Sequence, residues 1–186
     1  MKTLLILLAV LLCGCSSMKR MRGVEAEQIS GEKRPEISIS ATYDKELSQE
    51  NYHLVEVYFL NNNEDWQRIK KVQIVEVPGV EEFHVIEEND LNAWKKSMLL
   101  DYQLKKEKAV KDKTELPSPE IEVKLSNLIP ENSISAPLSL PGKLQVGRWA
   151  LIQTPRKNKI KNIFLEITFI DSAVVKYKLN IEGKSL

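Results

Sequence analysis

The sequence predicts a mainly β protein: an antiparallel β-sandwich with one amphipathic helix inserted between its strands. Three observations carry that expectation. Short runs in which apolar and polar residues alternate recur along the chain, the mark of half-buried strands. Clusters of Asn, Asp, Pro and Gly punctuate them, and these residue types favour turns. One stretch, Leu91 to about Asp112, has neither Gly nor Pro and places Leu91, Trp94, Met98 and Tyr102 at spacings of three and four, which reads as a helix.

Alternation begins at Glu36, where Ile37, Ile39 and Ala41 face one way and Ser38, Ser40 and Thr42 the other. Val55, Val57 and Phe59 repeat it, and Asn61-Asn62-Asn63-Glu64-Asp65 supplies a turn. From about Arg68 to Val77, Ile69, Val75 and Val77 fall on one face and Val72 and Ile74 on the other, closed by Pro78-Gly79; apolar residues on both faces suit an interior strand. Phe83 and Val85 mark a short fourth strand, and Asp90 is placed to cap the helix, expected over about 90–112.

Leu116-Pro117-Ser118-Pro119 stops that helix. Ile121, Val123 and Leu125 alternate with Glu120, Glu122 and Lys124 and predict a solvent-facing or edge strand. Pro130 to Gly142 reads as an irregular connection. Strands return at about Gln145 to Gln153, at Ile163, Leu165, Ile167 and Phe169, and at Val175, Tyr177, Leu179 and Ile181, with Asp171-Ser172 short enough for a tight hairpin. Seven or eight short strands with a single helix are expected to form one domain over residues 36–186. The order of strands resembles that of immunoglobulin-like modules of bacterial envelope proteins, without their Cys-Trp-Cys signature.

The first residues belong to a different layer of organisation. Met1-Lys2-Thr3 precedes an apolar run from Leu4 to Leu12, and Leu12-Cys13-Gly14-Cys15 is followed by Ser16-Ser17. The run is too short to span a bilayer as a helix and reads as a signal peptide over residues 1–14. The tetrapeptide resembles the lipobox of bacterial lipoproteins, with Cys13 where Ala, Ser, Thr or Val is more usual. The resemblance implies cleavage before Cys15 and a diacylglycerol thioether on its thiol. It also implies a sorting role for Ser16, because Asp at that place favours the inner membrane. The expected address is the inner leaflet of a cell outer membrane, facing the periplasm, with the inner membrane and cell surface as the other addresses. Residues 16–35 hold little apolar area and read as a flexible tether, in which Lys19, Arg20 and Arg22 lie just after the anchor.

Residues 15–186 number 172, enough for one substantial core. Removing Lys2 from the 27 basic residues leaves 26, equal to the 26 acidic ones; a net charge of zero argues against non-specific nucleic-acid binding. With Cys13 removed and Cys15 acylated no thiol remains, so the domain is expected to fold without a disulfide. Charge is uneven along the chain: residues 36–92 carry thirteen acidic and four basic side chains, residues 93–186 ten and seventeen. Interleaved strands would cancel that difference locally; a bipolar surface is the functional alternative.

Chemistry-bearing clusters are sparse. The two histidines, His53 and His84, each sit in a strand pattern, and a zinc site needs three or four convergent ligands. No Walker loop, nucleophile elbow or dinucleotide fingerprint occurs. The acidic run from Glu81-Glu82 through Glu87-Glu88 to Asp90 lacks calcium-loop spacing and reads as a solvated edge, and Arg156-Lys157-Asn158-Lys159-Ile160-Lys161 as a loop. Neither a cofactor nor a catalytic set is expected.

The helix leaves one stripe unexplained. At about 100 degrees per residue, Ala93, Leu100 and Leu104 cluster opposite the Leu91 face. Either the 130–142 connection folds over them or the helix bends, or else Leu100 and Leu104, flanked by Lys96, Lys108 and Lys111, form a partner-docking edge. The expected function is a non-catalytic interaction, scaffold or accessory module, anchored in the membrane by lipid and meeting a protein partner in the envelope. The alternative is a binding protein for a small apolar or envelope-polymer ligand held between helix and sheet, with Trp94, Tyr102 and Trp149 as wall residues.

Overall fold

The computed structural model describes residues 21–49, 51–155 and 159–181. Among the described residues are ten strands: β1 (Val24–Glu25), β2 (Glu27–Ser30), β3 (Ile37–Gln49), β4 (Tyr52–Asn61), β5 (Gln67–Glu76), β6 (His84–Val85), β7 (Leu138–Leu140), β8 (Gln145–Gln153), β9 (Asn162–Phe169) and β10 (Val174–Asn180). Two helices, α1 (Glu88–Asp112) and α2 (Glu120–Asn127), interrupt them. The strands make two five-stranded sheets, ordered β1-β3-β4-β8-β6 (sheet A) and β2-β10-β9-β5-β7 (sheet B). Every pairing between neighbours is antiparallel.

Alternation explains how the sheets meet. Ile37, Ile39, Ala41, Val55, Val57, Phe59, Ala150 and Ile152 of sheet A form one buried cluster with Ile163, Leu165, Ile167, Val175 and Leu179 of sheet B. The fold is therefore mainly β, two antiparallel sheets enclosing one core, as the sequence pattern predicts. Strands β4 and β8 are buried on both faces, because Leu54, Trp149 and Leu151 on the outer side of sheet A join a second cluster with Leu91, Trp94 and Met98 of α1 and Leu125 of α2.

Strand β5 departs from its expected two-faced pattern. Ile69, Val72, Ile74 and Val77 all belong to the inter-sheet core, and the pairing with β9 shifts register between Ile69 and Lys71 and again between Ile74 and Glu76. Each irregularity re-phases the alternation, so residues of odd and even number reach the same side.

The expected tether is shorter than residues 16–35. Val24 pairs with Ala41 and Glu25 with Ser40 in sheet A, while Glu27 to Ser30 pair with β10 in sheet B. The chain crosses between the sheets at Ala26, whose N–H donates to the Ile39 carbonyl at 2.7 Å. Low apolarity hid these strands, because sheet edges supply their hydrogen bonds and little side-chain burial is needed. Gly23 makes the approach feasible: it has φ 87°, and a Cβ there would lie 2.2 Å from the Ala41 carbonyl oxygen. Arg34 then ties the segment down, 2.6 Å from Asp171 and stacked 4.7 Å over the Phe169 ring.

Further expectations are corrected in the insertion. The predicted strand at Ile121–Leu125 is α2, and two helices, not one, lie in the insertion. Ile121 and Leu125 are one helical turn apart, Glu120 and Glu122 sit in the first turn where the helix dipole favours acids, and Leu125 is buried while Val123 is 61% exposed. The first helix begins at Glu88 with Glu87 as its N-cap, so Asp90 lies in the first turn and does not cap. The 130–142 connection also has order, a 3-10 turn at Pro130–Asn132 and the edge strand β7.

Candidate functional site

α1 follows β6, which pairs with the end of β8 (His84 opposite Gln153), and crosses the outer face of sheet A. Leu91, Trp94 and Met98 pack on Leu47, Leu54, Trp149 and Leu151, with the Trp94 ring 6.4 Å from that of Tyr52. Asp101 accepts a hydrogen bond from the Gln49 amide at 3.4 Å, at the turn between β3 and β4. α2 lies on the same face, its Lys124 ammonium 2.9 Å from Asp44 and 2.7 Å from Glu46 of β3.

The three expected wall residues do not enclose a cavity together. Trp94 and Trp149 fill the space between helix and sheet as part of the packed cluster. The Trp149 indole N–H donates to the Ile129 carbonyl at 2.9 Å, whereas the buried Trp94 Nε1 has no partner. Tyr102 is buried farther along α1.

Beside Trp149 lies an open recess of about 250 Å³ between the outer face of sheet A and α2. Its floor is Leu47, Leu54, Leu128 and Trp149, and its walls include Arg22, Asp44, Glu56, Tyr58, Lys124 and Asn127. The Glu56 carboxylate accepts hydrogen bonds from the Tyr58 hydroxyl and, at 3.5 Å, from Thr42. Burial, reinforced by Glu56, pushes the Tyr58 phenol above its ordinary range, so the phenol stays a donor. Partial burial opposes the charge of Lys124, but hydrogen bonds and charges from Glu46 and Asp44 outweigh it and hold the ammonium firmly protonated. Sequence reasoning placed Arg22 in the tether and Trp149 on a ligand wall, and gave Asp44, Glu56, Tyr58, Lys124 and Asn127 no role in a site. Glu56 and Tyr58 were legible as the outward positions of β4, but Arg22 and Lys124 reach the site from distant segments.

The second stripe of α1 is uncovered: Leu100 is 58% and Leu104 54% exposed, and Lys96, Lys108 and Lys111 are not buried. The 130–142 connection does not cover it. The acidic residues Glu88 and Asp90 occupy the first turn of α1, a position that the helix dipole favours. Among the described residues no group of three or more His, Cys, Asp or Glu is placed to hold a metal. His53 is buried against the Tyr43 hydroxyl at 3.0 Å and near Thr154, and burial lowers its pKa, keeping the ring neutral. Strands from the two charge-biased parts of the chain lie side by side, and Lys124 pairs with Asp44 and Glu46 across them. Cys15, Ser16 and Arg156-Lys157-Asn158 lie outside the described residues. Among those described, no helix is long and apolar enough to cross a membrane.

No family model and no curated protein matches the chain. Solved structures with a loose likeness include the apo PCuAC domain from PmoF1, at TM-score 0.39 and 8% identity over 85% of this chain and 100% of that one. The copper-bound PCuAC domain from PmoF2 stands at TM-score 0.38 and 8% identity, over 85% and 99%. A likeness this distant assigns neither function nor metal to the chain.

Proposed function

We propose that the protein is a lipid-anchored interaction module of the bacterial envelope, built on an immunoglobulin-like sandwich and working through its surface without a catalytic group. The observation that carries this reading is the filled interface between α1 and sheet A, combined with a solvent-facing pair of leucines on the opposite side of the same helix. A module that enclosed a small apolar ligand would keep space there, whereas a docking module exposes apolar area outward. The immunoglobulin-like part is supported by strand order. With β3, β4, β5, β6, β8, β9 and β10 taken as A to G, the sheets read A-B-E-D and G-F-C. The helices then occupy the D-to-E connection.

The anchor is supported by Leu12-Cys13-Gly14-Cys15 after the apolar run, and the outer-membrane address by Ser16. Mass spectrometry of the mature N-terminus tests the first: a diacylated Cys15 is expected, and Cys15→Ser is expected to accumulate uncleaved precursor. An unmodified N-terminus at another residue overturns the anchor. Fractionation with inner-membrane markers overturns the address. Crosslinking of the lipidated protein in its own cell, followed by identification of what is captured, tests the interaction role.

The recess beside Trp149 favours a second reading, a binding module for an envelope polymer. Its walls of Glu56, Tyr58, Arg22 and Asn127 suit a polar, hydroxyl-bearing chain and not an apolar ligand. Titration of soluble cell-wall fragments, followed by tryptophan fluorescence, is expected to show saturation that Glu56→Gln weakens. Equal binding by the variant removes this reading.

A further inference from the structure

The point where the chain enters the sandwich lies on the outer face of sheet A, the face that α1 crosses. Strand β1 runs antiparallel to β3, with Val24 opposite Ala41. Ahead of it the backbone turns at Gly23, φ 87°, and Arg22 lies over the outer face of sheet A, its carbonyl accepting the Ser40 hydroxyl and its side chain lining the recess beside Trp149. Asp101 of α1 meets Gln49 at the β3–β4 end of that sheet, and the helix then continues for the eleven residues 102–112, about 16 Å at 1.5 Å per residue.

In that continuation Tyr102 and Ala109 are buried, and the remaining positions are exposed. Between Gln103 and the C-cap Lys113 stand five lysines, Lys105, Lys106, Lys108, Lys111 and Lys113, against Glu107 and Asp112. Arg34, Lys124 and Lys176 make ion pairs elsewhere in the molecule. Lys96, Leu100, Leu104, Lys108 and Lys111 fall within about 120 degrees of the helix circumference, on the side away from Leu91. Two exposed leucines among lysines make a surface suited to the headgroup layer of an anionic bilayer.

Chain length brings that bilayer within reach. Because β1 begins at Val24, only residues 16–22 separate Cys15 from Gly23, a span of at most about 28 Å when fully extended. We propose that residues 100–113 of α1 rest on anionic phospholipid headgroups, through Leu100, Leu104 and the surrounding lysines. Resting on the lipid-anchor reading, this gives the domain two membrane contacts, the acylated Cys15 and the helix, whose distal half lies at the β3–β4 end. The opposite end, with the 62–66 turn and exposed Trp66, then points away from the membrane.

The test uses the full-length lipidated protein in vesicles of phosphatidylcholine, with or without about one third phosphatidylglycerol. An environment-sensitive dye is attached at Leu104→Cys or, as a control at the far end, at Trp66→Cys; acylation of Cys15 leaves no competing thiol. Quenching by spin-labelled acyl chains is expected for the 104 probe in anionic vesicles and not in neutral ones. It is expected to be lost in about 0.5 M salt, where the Debye length shrinks to a few ångströms, and on combining it with Lys108→Glu and Lys111→Glu. The Trp66 probe is expected to stay unquenched throughout. Protein that floats with anionic vesicles while its 104 probe is unquenched overturns the helix contact and leaves the anchor standing. Protein that floats with neither vesicle overturns both. Unacylated protein that floats only with anionic vesicles, in a salt-sensitive way, upholds the helix contact independently of the anchor.

Discussion

From Glu88 to Asp101, α1 is held against sheet A by Leu91, Trp94 and Met98, each at most 6% exposed. From Tyr102 to Asp112 it keeps two positions buried and turns leucine, valine and lysines to solvent. Both halves are rich in good helix formers, so propensity does not separate them. Tertiary burial does. The proximal half is fixed by area removed from water, whereas the distal half relies on propensity and on its left-handed C-cap at Lys113, φ 54°, whose N–H reaches back to Val110. A helix segment held mainly in this way opens more easily, which leaves the distal half free to meet another surface.

The sharpest break of that contrast is a truncation under the proximal half. Leu91→Ala removes a side chain that is 1% exposed and is expected to cost about 3 kcal/mol, within the range for buried leucines. Urea denaturation measures it, and a loss below about 0.5 kcal/mol means that the proximal half is not anchored there. Slightly smaller, for an equally buried site on a helix of only eight residues, is Leu125→Ala at about 2 kcal/mol. Its neighbour Val123, 61% exposed, is expected to tolerate Ala within about 0.5 kcal/mol. Equal losses at both positions would restore the strand reading of 120–127, in which the two share a face.

That pair also marks where the sequence stopped being legible. Ile121, Val123 and Leu125 satisfy period two, but Ile121 and Leu125 alone satisfy a helical turn, and eight residues are too few to arbitrate. Strands β4, β9 and β10, and β3 as far as Asp44, were legible because their alternation is unbroken; β5 was not, since two register shifts scatter one face over odd and even numbers. The strands at 24–30 were hidden for a different reason: they are recruited by edge hydrogen bonds and not by apolar pattern. Of the candidate groups, the two stripes of α1 were readable from helical geometry, and their opposite burial matches the spacing. The recess was not, because Arg22, Glu56 and Lys124 converge only after β1, β4 and α2 are assembled on one face.

A smaller effect comes from His53, buried beside Tyr43 and Thr154 at one end of β4. Burial lowers its folded pKa, so the unfolded chain takes up its proton first as pH falls. The stability tied to neutral His53 is full above the unfolded value of about 6.5 and is lost progressively below it, down to the folded pKa. Melting curves between pH 8 and pH 5 are expected to show that decline, and His53→Gln to flatten it. An unchanged slope in the variant would assign the pH dependence to other groups.

The smallest expected effect is the most discriminating. Leu100→Ser with Leu104→Ser removes two large apolar side chains from the outer stripe, and in a buried setting that pair would cost several kcal/mol. At 58% and 54% exposure little area returns to water on unfolding. The remaining cost is the lower helix propensity of Ser, a few tenths of a kcal/mol per position. The double variant is therefore expected to melt within about 3 °C of the parent protein, since about 1 kcal/mol shifts the melting point of a domain this size by 2–4 °C. A much earlier melt would show that the distal half is held by packing like the proximal one, and would remove the ground for treating its outer face as a docking surface. An unchanged melt leaves two leucines whose presence on the outer stripe folding alone does not require.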